Sequence, residues 1–104
     1  MQEQRRRPRF PVHVAVSFVV EDTPGEGVVY NLSEEGCAIE SDQMVPQQGY
    51  ASAYLSFPGE SQPAVVDLAR VCWTTRREFG LEFRILSDPA RGRIRRFLVR
   101  AQAA

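Results

Sequence analysis

The residues best equipped for chemistry stand in two short stretches. Residues 4–12 read QRRRPRFPV and put four arginines into five positions, while residues 31–36 read NLSEEG. Arg5 and Arg9 are separated by three residues, and Pro8 between them disfavours helix and favours an extended run. An arginine fork matches two targets well, phosphate oxygens and the O6/N7 edge of guanine, so a ligand carrying both groups rewards closely spaced arginines. In NLSEEG, Asn31 brings an amide, Ser33 a hydroxyl and Gly36 either a positive φ or close backbone approach. Asn31 and Ser33 can bond a ligand or shape a turn. For the arginines, three readings compete: a solvated tail, a nucleic-acid arm, and a clamp for one anionic ligand.

Other chemistries find little support. The single histidine, His13, has no nucleophile signature near it, and there is no GxSxG, P-loop, HExxH or Gly-rich dinucleotide fingerprint. The expectation is that the protein is not an enzyme and has no catalytic residues. Cys37 and Cys72 lack ligand spacing, so no metal site is expected, and both are read as reduced, half-buried strand residues. Glu34 and Glu35 are read as solvated turn residues.

Charge is neutral in sum and uneven in arrangement. Residues 1–10 carry four arginines against Glu3, and residues 87–104 five against Asp88, while the segment between them is net −7. All thirteen basic residues are arginine, which supplies planar forks rather than point charges. A general nucleic-acid binder would more often have a basic body as well, and an acidic one repels a phosphate backbone. No apolar run approaches the ~20 residues of a membrane span, and the N-terminus lacks the marks of a signal peptide. A cytoplasmic protein without membrane insertion is expected.

These stretches need elements to hold them. From Val12 to Val20 apolar residues fall at every second position, which predicts a strand. EDTPGEG reads as a hairpin loop, GVVYNL as a second strand that SEEG ends, and CAIES as a third. YASAYLSF, AVVDLARVCW and EFGLEFRI follow as strands four to six, the fifth with no clean apolar face. Six short strands with tight loops predict a closed or nearly closed antiparallel barrel, an all-β fold. The period then changes. Ser87 or Asp88 offers an N-cap, Pro89 fits the first turn, and Ile94, Phe97, Leu98 and Ala101 form one apolar stripe of a C-terminal helix. The organisation expected is a basic, flexible arm over 1–11, a barrel over 12–86 and a helix over 87–101.

An RxxxR element before the first barrel strand, followed by [D/N]xSxxG after the second, resembles the PilZ domain family. The matching elements are Arg5-Arg6-Arg7-Pro8-Arg9 and Asn31-Leu32-Ser33-Glu34-Glu35-Gly36, and CWTTRREFGLEF is similar to the family's fifth and sixth strands. The resemblance spans residues 5–100. It implies a six-stranded antiparallel PilZ-like (split) β-barrel with a C-terminal helix, acting as a receptor for the bacterial second messenger cyclic di-GMP. It further implies that Arg5 and Arg9 clamp guanine edges and phosphates, that Arg6 stacks or pairs with the ligand, and that Asn31 meets a guanine Watson–Crick edge. Ser33 and Gly36 complete the turn, with Ser33 near a phosphate or base edge. Trp73 falls on an aromatic that stacks on guanine in some single-domain relatives, and a place in the barrel wall is its alternative.

The function expected is therefore a cyclic di-GMP receptor whose arginine arm is ordered by ligand and which signals to an unidentified protein effector. It uses no cofactor beyond that ligand and binds no nucleic-acid polymer. The alternative is a PilZ-fold interaction adaptor that binds no nucleotide.

Overall fold

The structure is a computed structural model, and it describes residues 10–103. Six strands and one helix follow in order: β1 (Phe10–Val20), β2 (Thr23–Leu32), β3 (Gly36–Glu40), β4 (Tyr50–Ser56), β5 (Ala64–Thr74), β6 (Glu78–Ile85) and α1 (Asp88–Ala103). All pairings are antiparallel, and the order β1-β2-β3-β6-β5-β4 closes because β4 pairs back onto β1. The expected barrel and helix are thus present. β1 takes Phe10 and Pro11 from the segment read as an arm, since both pair with β2.

The inward face of β1 is Val14, Val16, Phe18 and Val20, and that of β4 is Ala51, Ala53 and Leu55. Phe18 and Phe79 meet edge to face at 5.1 Å in the centre. The hairpin loop expected over residues 21–27 is far shorter. Glu21 and Asp22 alone make the turn, both with positive φ (47° and 71°), the two-residue geometry whose twist suits a hairpin. Gly25 and Gly27 lie in β2 instead. A Cβ at Gly25 would stand 2.6 Å from the Phe18 ring, so the glycine makes room for a core aromatic rather than a bend.

One end of the barrel carries α1. Ser87 is the N-cap, its Oγ accepting the Ala90 N–H at 3.1 Å. Ala90, Ile94 and Leu98 are buried, and Phe97 stacks on Phe57 at 4.6 Å. Arg93 is held by the barrel rather than by solvent. Its Nε donates to Glu60 Oε1 at 2.8 Å, and its Nη atoms donate to Glu60 and to the carbonyls of Gln62 and Pro63. This ties α1 to the β4–β5 loop.

Candidate functional site

The same end gathers the β2–β3 turn and the start of β1, because Phe10 pairs with Leu32, next to Ser33. Arg5, Arg6 and Arg9 lie outside the described residues. Ser33 is buried, with its hydroxyl engaged inside the turn: Oγ accepts the Glu35 N–H at 3.1 Å and donates to the Gly36 carbonyl at 3.4 Å. Its N–H donates to the same carbonyl at 2.9 Å. Gly36 serves close approach, since a Cβ there would stand 2.3 Å from the carbonyl oxygen of Leu81 on β6. The Glu35 carbonyl accepts the Phe83 N–H at 2.8 Å, which fastens the turn to β6.

Glu34 is not a solvated turn residue. Its Oε1 accepts from Arg95 Nε and Nη2 at 3.2 and 2.9 Å, joining the turn to α1. That hydrogen bond, and the charge behind it, hold the Arg95 guanidinium above its ordinary pKa.

Four strands bring the remaining residues into a row. Asn31 pairs with Ala38, Ala38 with Gly80, and Gly80 with Trp73. Directly opposed residues share a face, and at about 4.8 Å per strand the row spans roughly 14 Å. The row faces outward. Ala38 is fully buried yet stands outside the core cluster, whereas its neighbours Cys37 and Ile39 belong to it. Tyr30 is the extra residue of a bulge on β2 and reaches across β3, its hydroxyl donating to Glu78 Oε1 at 2.5 Å. The Trp73 indole lies over Gly80: a Cβ at Gly80 would meet its Nε1 at 2.2 Å. Trp73 is half-buried and on the outer surface rather than among the core cluster.

The row therefore has an aromatic at one end, two small residues as floor, and an amide at the other end. Asn31 Oδ1 is buried and has no hydrogen-bond partner among the described residues. An orphan acceptor of this kind needs a donor, and among common ligand groups the N1–H and N2–H edge of guanine supplies one. The neighbouring outer row, Arg70–Glu82–Gly36, adds Arg70, whose Nε is buried without a hydrogen bond and stands 3.6 Å from Glu82 Oε1. Arg84 holds the same Glu82 oxygen at 3.1 Å.

Sequence reasoning brought Asn31, Ser33, Gly36 and Trp73 to this surface and missed Tyr30, Arg70, Glu78 and Gly80. The bulges hid Tyr30 and Arg70, because alternation along β2 and β5 breaks beside them. A Gly opposite an aromatic on a paired strand was the available signal for Gly80. His13 is exposed; Cys37 is fully buried rather than half-buried, and Cys72 is half-buried, as expected. Among the described residues no group of three or more His, Cys, Asp or Glu could hold a metal ion, and no helix is long and apolar enough to cross a membrane.

The PilZ domain family matches residues 3–100. Among solved structures, the inhibitor of motility MotI/DgrA of Bacillus subtilis superposes with a TM-score of 0.76 at 18% identity, over 98% of this chain and 53% of that one. This chain thus spans about half the length of the Bacillus protein. The PilZ domain of CeSA from a cellulose-synthesizing bacterium superposes with a TM-score of 0.69 at 16% identity, over 91% and 98% of the two chains. At these identities the likeness is one of fold. No curated protein matches the chain.

Proposed function

The chain belongs to the PilZ domain family, and from that premise we propose that it is a cyclic di-GMP receptor that signals to a protein partner without catalysis of its own. The observation that carries the reading is the outer row. Asn31 presents a buried acceptor with no partner among the described residues, Trp73 an aromatic face, and the chain enters β1 at Phe10, which pairs with Leu32 of the NLSEEG stretch. In this reading Arg5 and Arg9 grip phosphates and guanine O6/N7 edges through charge-assisted forks, with Arg6 supporting. Asn31 accepts from a guanine Watson–Crick edge. Trp73, seated over the buried Gly80, stacks on a base with its outer face.

Ser33 and Gly36 act by holding the turn, since the hydroxyl is already satisfied there and the glycine admits β6. Ligand draws the arginine segment onto the barrel face, an ordering that remodels the surface offered to a partner. The protein acts in the cytoplasm, where this second messenger is made and read. Titration calorimetry with cyclic di-GMP, GMP and a short DNA duplex tests the reading. Tight binding of cyclic di-GMP alone is expected; tighter binding of the duplex, or of none of the three, would overturn it.

A further inference from the structure

The outer surface of α1 is not used by the site described. Its inner stripe is Ala90, Ile94 and Leu98, which leaves two adjacent rows, Arg91–Arg95–Val99 and Gly92–Arg96–Arg100, each spaced i, i+4, i+8, half-buried at Arg91 and Gly92 and exposed beyond them. Val99 is 61% exposed, one of four large apolar side chains that are exposed among the described residues. Arg95 pairs with Glu34, and Arg100 lies 3.8 Å from Glu60 Oε2. Arg91 and Arg96 have no acidic partner among the described residues. Like charges at i, i+4 destabilise a helix, and both Arg91–Arg95 and Arg96–Arg100 are such pairs. The only acid in the helix is Asp88, at its first turn. In each pair one arginine already faces a carboxylate, Arg95 that of Glu34 and Arg100 that of Glu60, which leaves Arg91 and Arg96 as the two guanidinium groups that an external carboxylate would pair.

We propose that this face of α1 docks an acidic segment of a partner protein, one that sets an apolar side chain against Val99 between carboxylates that pair with Arg91 and Arg96. This names the chemistry of the partner and rests on the receptor reading above. Gly92 offers the segment a seat, because the nearest neighbour to a Cβ there is Arg96 Nη1 at 3.4 Å. A membrane surface fits less well, since one valine gives little apolar area to insert. A nucleic acid fits less well because Glu34 and Glu60 border the face on the turn and on the β4–β5 loop. A second copy of this chain fits less well, since Glu34 and Glu60, the acids beside the helix, already pair with its own Arg95 and Arg93.

The area sets the strength. Sixteen residues at 1.5 Å make a helix about 24 Å long, and one face about 10 Å wide offers roughly 240 Å², well below the ~800 Å² per partner of a stable complex. The contact is weak, reversible and salt-sensitive, and it lies one ion pair away from the ligand turn through Glu34–Arg95.

The test uses the full chain and a fluorescein-labelled 15-residue peptide with glutamates at i and i+4 on either side of a leucine. Anisotropy is read with and without cyclic di-GMP, beside a DNA duplex and vesicles of one anionic to three zwitterionic lipids. The peptide should bind, with affinity falling about tenfold between 50 and 300 mM NaCl as screening shortens. The double variant Arg91→Glu/Arg96→Glu should lose at least tenfold in affinity at unchanged melting temperature. Should it fold poorly, Arg91→Ala/Arg96→Ala removes repulsion as well as charge and should fold at least as well while losing threefold or more. Absence of peptide binding, binding indifferent to these variants, or tighter arginine-dependent binding of the duplex or vesicles would overturn the proposal. Calorimetry of cyclic di-GMP on the same variants should be unchanged. A failed nucleotide titration with peptide binding intact sinks the receptor reading and leaves the docking face standing.

Discussion

Replacing Asn31 by leucine should make the protein more stable and weaken its binding of cyclic di-GMP. The side chain sits on the outer row with Oδ1 buried and unpaired among the described residues. A buried acceptor left unsatisfied costs about 1–3 kcal/mol of desolvation, and a leucine, which has the same heavy-atom branching, removes that cost, its larger bulk falling on a half-buried outer site. Part of the gain is lost if the amide N–H bonds at the surface, so a net gain of about 1–2 kcal/mol is expected, the lower part of that range. For a domain of this size that raises Tm by roughly 5–10 °C. The same change removes the acceptor for a guanine edge, so calorimetric binding of cyclic di-GMP should fall by about 1–3 kcal/mol, the cost of leaving buried guanine donors without an acceptor. Asn31→Asp is the companion variant: a carboxylate accepts from two donors, so binding should be equal or tighter unless repulsion from the ligand phosphates wins. Urea unfolding and calorimetry on the same preparations decide the matter. A leucine variant destabilised by more than about 1 kcal/mol would show that the oxygen is structurally satisfied, and the orphan-acceptor argument would fall.

Four further outcomes follow from the same geometry. Gly80→Ala places a Cβ 2.2 Å from Trp73 Nε1, so the indole must leave its seat; a cost of about 1–3 kcal/mol, red-shifted emission from the only tryptophan and weaker ligand quenching are expected. Gly36→Ala drives a methyl into the Leu81 carbonyl and should open the β3–β6 pairing, losing about 3 kcal/mol or more with faster exchange of the Phe83 amide. Arg93→Ala leaves the Glu60 carboxylate and two loop carbonyls without their donor and should cost about 2–4 kcal/mol in urea, with ligand affinity unchanged. Arg5→Ala and Arg9→Ala should each weaken cyclic di-GMP binding by about 1.5–3 kcal/mol while leaving Tm in place; wild-type binding by both would remove the clamp.

Strand number, order along the chain and the helix stripe were legible because apolar alternation in β1 and β4 runs unbroken, and the switch from period two to period 3.6 after Ile85 is abrupt. β5 was not legible in its faces. Its inward residues are Ala64, Val66, Ala69 and Val71, even positions and then odd ones, because a bulge near Asp67–Leu68 reverses the parity. A second irregularity at Cys72 turns Trp73 outward, so no alternation rule could have placed the indole. The hairpin loop was overextended for a related reason. Pro24, Gly25 and Gly27 have turn-forming composition, but the glycines serve the Phe18 ring and the Glu40 carbonyl, contacts that exist only once β1, β2 and β3 are paired.

The irregularities fall where the chemistry is gathered. Tyr30 beside Asn31, Cys72 beside Trp73 and Arg84 near Arg70 are each the surplus residue of a bulge, and each bulge borders the outer rows. A regular barrel alternates inward and outward side chains and would have to choose between packing the core and presenting two neighbouring polar groups outward. By inserting one residue in β2, this chain sets both Tyr30 and Asn31 against the outward side of Ala38 while Val29 and Leu32 remain fully buried. The bulge in β5 does the same for Trp73 while keeping Val71 inside. Tyr30→Phe keeps the register against both β1 and β3 and tests the bracket directly. The core residues would keep their positions, the outer row would lose its bracket to Glu78, and ligand affinity should fall further than stability.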